Sequence, residues 1–350
     1  MQGVRLSATV AAIIIASLSS SATASPWTLP AGRGVLWTGF TYQTTDREFL
    51  DRGGSRIFPL AGQFDAATLV LGGRVGLTNS LEVEVSVPFS LVSYQADPVI
   101  LLPDPPPIQP GESQFDRIQR NVINLSRTRS GLGDINLTGR YRLLRGPLVA
   151  AVEFGIKVPM GYEGPAGTFG EDPETEAEFR ANLATFVSPT NVEDDVTLGD
   201  GQVDLQTSLL VGYALRFGMF FRLNAGYKLR LGGAADQVIG LARIGQSIGR
   251  RFLVYGGAQI AYSIQDGRPI GISVSAIDPT LPATEYIGDT NLDLREVQLL
   301  RNKLDVGGGI IVRLSPSLEL NGGYEYTVWG RNTAAIHAAS ISLALRVEIF

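Results

Sequence analysis

Between Gly131 and Val158 the sequence reads GLGDINLTGRYRLLRGPLVAAVEFGIKV, and it alternates apolar with polar residues on both sides of Arg145-Gly146-Pro147. A period of two places successive side chains on opposite faces of a β-strand. Before the break, the apolar face consists of Gly133, Ile135, Leu137, Gly139, Tyr141 and Leu143. Gly146 accepts unusual backbone dihedral angles and Pro147 cannot donate to a sheet, so we expect the turn there. The stretch predicts a β-hairpin with one apolar and one charged face, in either a soluble sandwich or a membrane barrel.

The first 24 residues have the features of a secretory signal peptide. Arg5 supplies positive charge, Val10 to Leu18 is a short apolar core, and Ala22-Thr23-Ala24 fits the cleavage pattern. The apolar run is too short to cross a bilayer as a helix. We expect a mature chain that starts at Ser25, and loss of Arg5 changes the formal net charge from -5 to -6. This mild acidity argues against a nucleic-acid partner.

The composition of the mature chain favours an all-β fold. The absence of cysteine excludes disulfides and thiol redox chemistry. No window after the signal peptide approaches eighteen uninterrupted apolar residues, so the sequence predicts no membrane-spanning helix. Its hydrophobic residues are dispersed by alternation among 41 glycines without a collagen-like period, which is typical of a chain made of many strands.

Alternating segments recur from residue 25 to residue 350, which we interpret as one domain. Together with the two strands of the hairpin they predict twelve strands, or fourteen if Gln95–Ser130 or Pro159–Gly201 contains a further hairpin. The register of the first segment is ambiguous because Trp37, Phe40 and Tyr42 occupy both faces. The ten other predicted strands are Val35–Thr45, Phe64–Leu77, Leu81–Leu91, Gln202–Leu215, Met219–Leu231, Gln237–Ile248, Phe252–Ile264, Leu304–Leu314, Leu318–Val328 and Ile336–Phe350.

The connections between these segments alternate in length. Short breaks such as Thr78-Asn79-Ser80 alternate with long ones such as 95–130 and 159–201. Short turns on one side and long loops on the other are typical of an outer-membrane barrel, with the short turns in the periplasm. Each apolar row is about eleven residues long, as a tilted strand across the hydrocarbon requires. We therefore expect a transmembrane antiparallel β-barrel of about twelve strands in the bacterial outer membrane.

The charged face cannot be a dry core, because an unpaired buried charge costs several kcal/mol. A soluble sandwich would pack its apolar faces together, whereas a barrel in lipid turns them outward. We expect the charges to form ladders along the lumen, which pair with one another and could equally tune solute selectivity. The lumen-lining candidates are Glu82, Glu84, Asp134, Arg140, Arg142, Glu153, Lys157, Asp204, Arg222, Lys228, Arg230, Asp305, Arg313, Glu319, Glu325 and Arg346.

Three segments carry a resemblance to a known family. They are Ser130 to Leu144 (SGLGDINLTGRYRLL), Gly199 to Tyr213 (GDGQVDLQTSLLVGY) and Asn321 to Thr333 (NGGYEYTVWGRNT). They resemble the MetA-pathway of phenol degradation family of outer-membrane barrels, which is related to the long-chain fatty-acid transporter group. The resemblance covers most of the mature chain, and the GLGD hairpin is its most specific part. It implies uptake of hydrophobic or aromatic compounds, and it supplies no catalytic residues.

The C-terminal residue, Phe350, is expected to act as a signal for the barrel assembly machinery. The terminal aromatic residue normally shares a face with the apolar row, but here that row has odd numbers and Phe350 is even. The other expected partners are outer-membrane lipid, lipopolysaccharide and a small hydrophobic solute.

Candidates for chemistry are sparse, and we predict that the protein is not an enzyme. His337 is the only histidine, and it shares the lipid-facing row while Ser340 and Ser342 point inward. A hydrolase would need a nucleophile beside a base. The acidic residues Glu171–Glu176 and Glu193–Asp195 could hold Ca²⁺ or remain solvated and bridge lipopolysaccharide cations. No cofactor and no metal site is predicted.

The sequence therefore predicts a channel for passive uptake of small hydrophobic or aromatic compounds. The alternative is a structural or adhesive surface protein that acts through its long loops. The apolar segment Ser25 to Pro30 precedes the first strand on the periplasmic side. By the resemblance, it would fold into the lumen as a plug in which Trp27 meets the solute, while Arg140, Arg222 and Lys228 keep the wall wet. A disordered tail is the other possibility.

Overall fold

The computed structural model describes residues 25–50, 54–100, 107–119 apart from 109, 122–162 apart from 125, 164–166, 177–178, 181, 196–276 and 292–349. The signal peptide, the acidic loop residues Glu171–Glu176 and Glu193–Asp195, and Phe350 lie outside these residues. Their predicted roles stay predictions. Within the described part of the chain, no helix has the length and apolar character that crossing a membrane would require.

Twelve antiparallel strands form a closed barrel. Each strand pairs with the next one along the chain, and the last pairs with the first, with Phe40 opposite Ile341. The strands β1 to β12 are, in order, Arg33–Thr45, Gln63–Gly76, Leu81–Gln95, Arg127–Leu132 together with Ile135–Leu144, Leu148–Val158, Val203–Ala214, Met219–Leu231, Gln237–Ile248, Phe252–Ser263, Asn302–Arg313, Leu318–Arg331 and His337–Glu348. Closure removes the sheet edges, which satisfies the backbone groups that lipid cannot.

The two faces of the strands are inverted relative to a soluble protein. Phe154 and Leu223 point outward and are 63% and 57% exposed, whereas Glu82 and Arg140 point inward and are 1% and 2% exposed. The apolar side chains face the lipid, and the charged side chains face the lumen. The predicted inversion is confirmed, and the ambiguous register of β1 is settled by the outward placement of Leu36, Phe40 and Tyr42.

Strand β4 differs from the prediction. The hairpin was expected to alternate without a break through Gly133 and Asp134, but the strand is interrupted at these two residues. Its first half is Arg127–Leu132 and its second half is Ile135–Leu144. Its two halves pair with different parts of β3. The interruption faces Pro88 of β3, which cannot donate a backbone hydrogen bond, and Gly133 N–H donates to Pro88 O at 3.0 Å. The missing donor breaks the ladder where the alternation alone predicted continuity.

The remaining secondary structure lies in the long connections and forms separate small sheets. Arg47–Phe49 lies between Ser55–Ile57 and Thr333–Ala334, and Pro269–Ala276 pairs with Leu292–Gln298. Val99–Ile100 pairs with Val122–Ile123, beside a short helix, α1, at Gln114–Gln119. Because none of these strands joins the wall, the barrel has twelve strands and the fourteen-strand alternative is wrong.

Candidate functional site

The N-terminal segment before β1 lies inside the barrel. The backbone N–H of Leu29 donates to Glu82 Oε2 at 2.8 Å, and that of Ala31 donates to Asn79 Oδ1 at 3.3 Å. Gly76 of β2 lies directly against the carbonyl oxygen of Pro30, so a side chain at this position would collide with the segment. These contacts hold the chain against β2 and β3 at its point of entry and direct it into the lumen.

Trp27 crosses the lumen to the far wall. Its indole contacts Phe220 of β7 edge to face, with ring centroids 6.1 Å apart. It also lies over Gly212 of β6, where an added Cβ would be 2.7 Å from Trp27 Cη2. In the order of the sheet, β6 and β7 stand opposite β1. The segment therefore bridges the barrel, and the absence of a side chain at Gly212 makes room for the indole.

A cavity of about 560 Å³ lies beside Trp27 in the half of the lumen nearer the short turns. This half is called periplasmic below, after the predicted orientation, and the half nearer the long connections is called extracellular. The aromatic part of its wall consists of Trp27, Trp37, Phe220 and Tyr255. The other residues that matter to its chemistry are Met219, Leu253, Ile311, Arg74, Arg222, Arg243, Glu319 and Arg346. A cavity of this size with apolar walls and a few convergent polar groups matches the general form of small-molecule sites.

The arginines of this cavity differ in their partners. Arg346 donates to Glu319 at 2.6 Å, and the guanidinium of Arg243 lies 4.6 Å from the centre of the Tyr255 ring. Arg222 is 5% exposed, and its Nε makes one long hydrogen bond, 3.4 Å, to Asn224. Within the described residues, Arg222 Nη2 is buried without a hydrogen-bond partner.

The centre of the lumen is held by Arg140. Its guanidinium contacts Glu153 at 2.5 Å, Glu82 at 2.7 Å and Glu84 at 3.0 Å. Three strands, β3, β4 and β5, and the N-terminal segment through Leu29 therefore meet at one cluster. Two of the three carboxylates have further polar neighbours, since the backbone N–H of Leu29 donates to Glu82 and Gln206 lies 3.4 Å from Glu153.

A second charge cluster lies in the extracellular half. Lys157 contacts Asp134 at 3.0 Å, Asp204 at 3.1 Å and also Asp200, while Arg230 binds Asp200 and lies 3.4 Å from Asp204. Lys228 is 3.9 Å from Asp204. Burial alone would raise the pKa of Asp200, but Arg230 and Lys157 lower that pKa to about 2. Asp200, which precedes β6 and was not predicted, is therefore ionised at neutral pH.

The other lumen candidates lie in smaller groups. Asp305 accepts hydrogen bonds from Thr327 at 2.7 Å and from Gln259 at 3.0 Å, and Gln259 is 3.5 Å from Glu325. At the periplasmic rim, Glu319 lies between Arg313 and Arg346, and Arg142 donates to the carbonyl of Asn79. The sixteen candidates thus lie in several separate clusters.

An apolar cluster closes part of the extracellular half. Phe58 and Val196 from the connections pack against wall residues, and Phe58 contacts Tyr94 edge to face with centroids 5.6 Å apart. The remaining buried members are Phe64, Ala66, Val92, Leu198 and Ala334. The inner row of β3 therefore changes from carboxylates near its periplasmic end to apolar residues near its extracellular end.

Sequence reasoning missed Arg74, Arg243, Trp37 and Tyr255 as lumen residues. Arg74, Arg243 and Tyr255 share a face with inward neighbours, so strict parity along β2, β8 and β9 would have found them. The register of β1 was ambiguous from the sequence, so parity could not place Trp37. These residues converge on one cavity because the barrel closes. Alternation along a strand assigns each residue to a face, but it does not predict which strands lie opposite each other.

His337 lies on the lipid face near the extracellular end of β12. Its ring stacks on Tyr326 with centroids 4.4 Å apart, and its Nδ1 is 2.5 Å from the hydroxyl of Tyr324. Ser340 instead hydrogen bonds to Gly323 O at 3.5 Å. This is the arrangement of an interfacial aromatic belt, where polar tips meet the headgroups, and it separates His337 from the serines.

Comparisons with known proteins place the fold but not the family. No protein-family model and no curated protein matches this chain. The COG4313 outer membrane channel from Pseudomonas putida F1 is similar in structure, with a TM-score of 0.58 and 9% identity over 93% of this chain and 98% of that one. At this identity the likeness shows the fold alone, which is that of an outer-membrane β-barrel.

Two further structures are similar at a lower level. A TodX monoaromatic hydrocarbon channel mutant has a TM-score of 0.41 and 10% identity over 95% of this chain and 94% of that one. The KdgM porin has a TM-score of 0.41 and 4% identity over 88% and 98%. These scores carry no argument about function, and the resemblance to the phenol-degradation family stays a prediction.

Proposed function

We propose that this protein is an outer-membrane channel for the passive uptake of small hydrophobic or aromatic compounds. The observation that carries the proposal is the aromatic-walled cavity of about 560 Å³ inside the lumen. A general hydrophilic pore would need a continuous wet path, whereas here an indole stands across the lumen. Burial of a solute's apolar surface against four aromatic rings would contribute roughly 25 cal/mol per Å².

The N-terminal segment gives this channel a gate. Trp27 forms one wall of the cavity and belongs to a segment held by few hydrogen bonds. Movement of this segment toward the periplasm would open the cavity without any change in the twelve-stranded wall. The solute would thus leave on the periplasmic side by displacing Trp27 from Gly212 and Phe220.

The test is single-channel recording of the refolded mature protein in planar bilayers, with and without benzyl alcohol. Benzyl alcohol is expected to change the conductance reversibly and to change the tryptophan fluorescence, because Trp27 and Trp37 line the cavity and the solute alters their surroundings. Mannitol, a polar solute, is the control and should do neither. Trp27→Ala and Phe220→Ala should weaken the response to benzyl alcohol. If neither conductance nor fluorescence responds to it, the proposal fails.

A further inference from the structure

The cavity beside Trp27 has an uneven charge. Four arginines line it, Arg74, Arg222, Arg243 and Arg346, against one carboxylate, Glu319. Glu319 is already engaged, since Arg346 and Arg313 contact it at 2.6 and 3.3 Å. The nearest further carboxylate for Arg74 is Glu82, whose Oε1 is 3.9 Å from Nη1, too long for a hydrogen bond. The cavity is therefore apolar in its walls and positive in its charge.

The side chain of Arg222 has a hydrogen-bond donor that no described residue satisfies. Its side chain is nine-tenths or more buried and lines the cavity, and Nη2 has no hydrogen-bond partner among the described residues. Nη1 of Arg74 is also buried without a hydrogen-bond partner among the described residues. A buried guanidinium nitrogen without a partner costs free energy that a ligand can recover. Two such nitrogens on one apolar cavity favour an occupant that brings an anionic oxygen pair.

We propose that the cavity selects amphipathic carboxylates, molecules with one carboxylate on an aromatic or aliphatic body, and that Arg222 binds the carboxylate. Arg222 presents a planar fork that matches the two oxygens of a carboxylate. The apolar body lies against Trp27, Trp37 and Phe220, and Arg74 adds positive charge. This inference rests on the proposed function and narrows its substrate class from hydrophobic compounds in general to hydrophobic acids.

A matched pair of probes tests the charge requirement. 4-Nitrobenzoate and 4-nitrobenzamide have nearly the same shape, and both quench tryptophan fluorescence, but only the first is an anion at neutral pH. On the full-length mature protein in detergent, 4-nitrobenzoate should bind about tenfold or more tightly than the amide, as expected for a hydrogen-bonded charge. Equal binding of the two probes would overturn the carboxylate proposal and leave the channel proposal standing. If neither probe binds, both proposals fail.

Variants locate the carboxylate. Arg222→Gln should weaken 4-nitrobenzoate binding about tenfold or more and leave 4-nitrobenzamide unchanged, and Arg222→Lys should recover part of the loss. Arg216→Gln is the control, because Arg216 is exposed in the short turn before β7 and the variant changes the net charge equally. Heat-modifiable gel migration confirms that each variant is folded. If Arg216→Gln weakens binding as much as Arg222→Gln, the effect is one of net charge and the assignment to Arg222 is wrong.

Competition experiments show which kinds of carboxylate the cavity accepts. Dodecanoate and benzoate should both displace 4-nitrobenzoate, since each has a carboxylate and an apolar body, and their relative strength reports whether an aliphatic or an aromatic body fits better. Acetate at the same concentration should not displace it. Displacement by acetate as strong as by benzoate would show a site for small anions in general, which contradicts the proposal.

Discussion

At the scale of single residues, Arg140 makes a prediction about stability. Arg140→Met leaves Glu82, Glu84 and Glu153 buried around a missing cation, and breaking a buried ion pair in this way typically costs about 3–5 kcal/mol. Urea unfolding of the protein in phospholipid vesicles measures the free energy of unfolding. The double variant Arg140→Met, Glu153→Gln should regain part of the loss, because one uncompensated carboxylate is removed.

The control for this prediction is another lumen arginine in a wetter place. Arg346 binds Glu319 at the periplasmic rim, but its side chain is half exposed, so Arg346→Met is expected to cost only about 0–1 kcal/mol. Equal losses in the free energy of unfolding for Arg140→Met and Arg346→Met would show that burial does not determine how much these ion pairs stabilise the protein.

Two residues on opposite faces of β6 test which face contacts the lipid. Leu209 is 50% exposed on the outer face, and Gln206 points inward beside Glu153. Leu209→Lys should lower the free energy of unfolding in vesicles by about 2–4 kcal/mol, because a cation in the hydrocarbon is costly. Gln206→Lys adds the same charge next to a carboxylate and should cost much less. A larger loss for Gln206→Lys would contradict the assignment of the faces.

At the scale of structural elements, the N-terminal segment is the part whose removal should change transport. Deletion of residues 25–30 takes Trp27 out of the lumen, so single-channel conductance should rise while selectivity for aromatic solutes falls. Gly212→Leu should act in the same direction without a deletion, because a side chain there would occupy the space of Pro26 and Trp27. Unchanged conductance and unchanged aromatic-solute response in both variants would exclude a plug.

The interrupted strand β4 shows how one residue changes an element. Pro88 lies in the middle of β3 and pairs with Val70 of β2 on its other side, so the wall around it lacks one donor. Gly133 and Asp134 leave the ladder at this point, and Asp134 binds Lys157 and Tyr162 instead of taking part in a regular row. The site of the break is thus decided by a neighbouring strand.

At the scale of the whole molecule, the closed barrel leads to predictions about gel migration and about which connections are exposed on the cell surface. The folded protein should migrate differently on a gel before and after boiling, as closed barrels do. Trypsin added to intact cells should cleave after Arg117, which lies in α1 in a long connection, and should spare Arg145 and Arg216 in the short turns. Cleavage at the short turns in intact cells would mean that the orientation is reversed.

Alternation by itself predicted most of each strand and, outside β1, the two faces, because a period of two determines which side of a strand each residue occupies. It left the strand count open between twelve and fourteen, and it did not predict the interruption of β4 at Gly133 and Asp134. It also assigned Arg140, Glu82 and Arg222 to the lumen. Sequence could not decide which of these charges pair, because β3 meets β4 over a separation of more than forty residues and the pairing depends on register.

Only the tertiary structure decided what the lumen contains. Closure brings β1, β7 and β9 to a common interior, and this puts Trp37, Phe220 and Tyr255 on one cavity although no pattern along the chain links them. The N-terminal segment reaches that cavity because Gly212 leaves a space on the opposite wall. Arg222 Nη2 has no hydrogen-bond partner among the described residues for the same reason: its surroundings are set by strands distant in sequence, so this unmet hydrogen-bonding capacity becomes visible only when the barrel is closed.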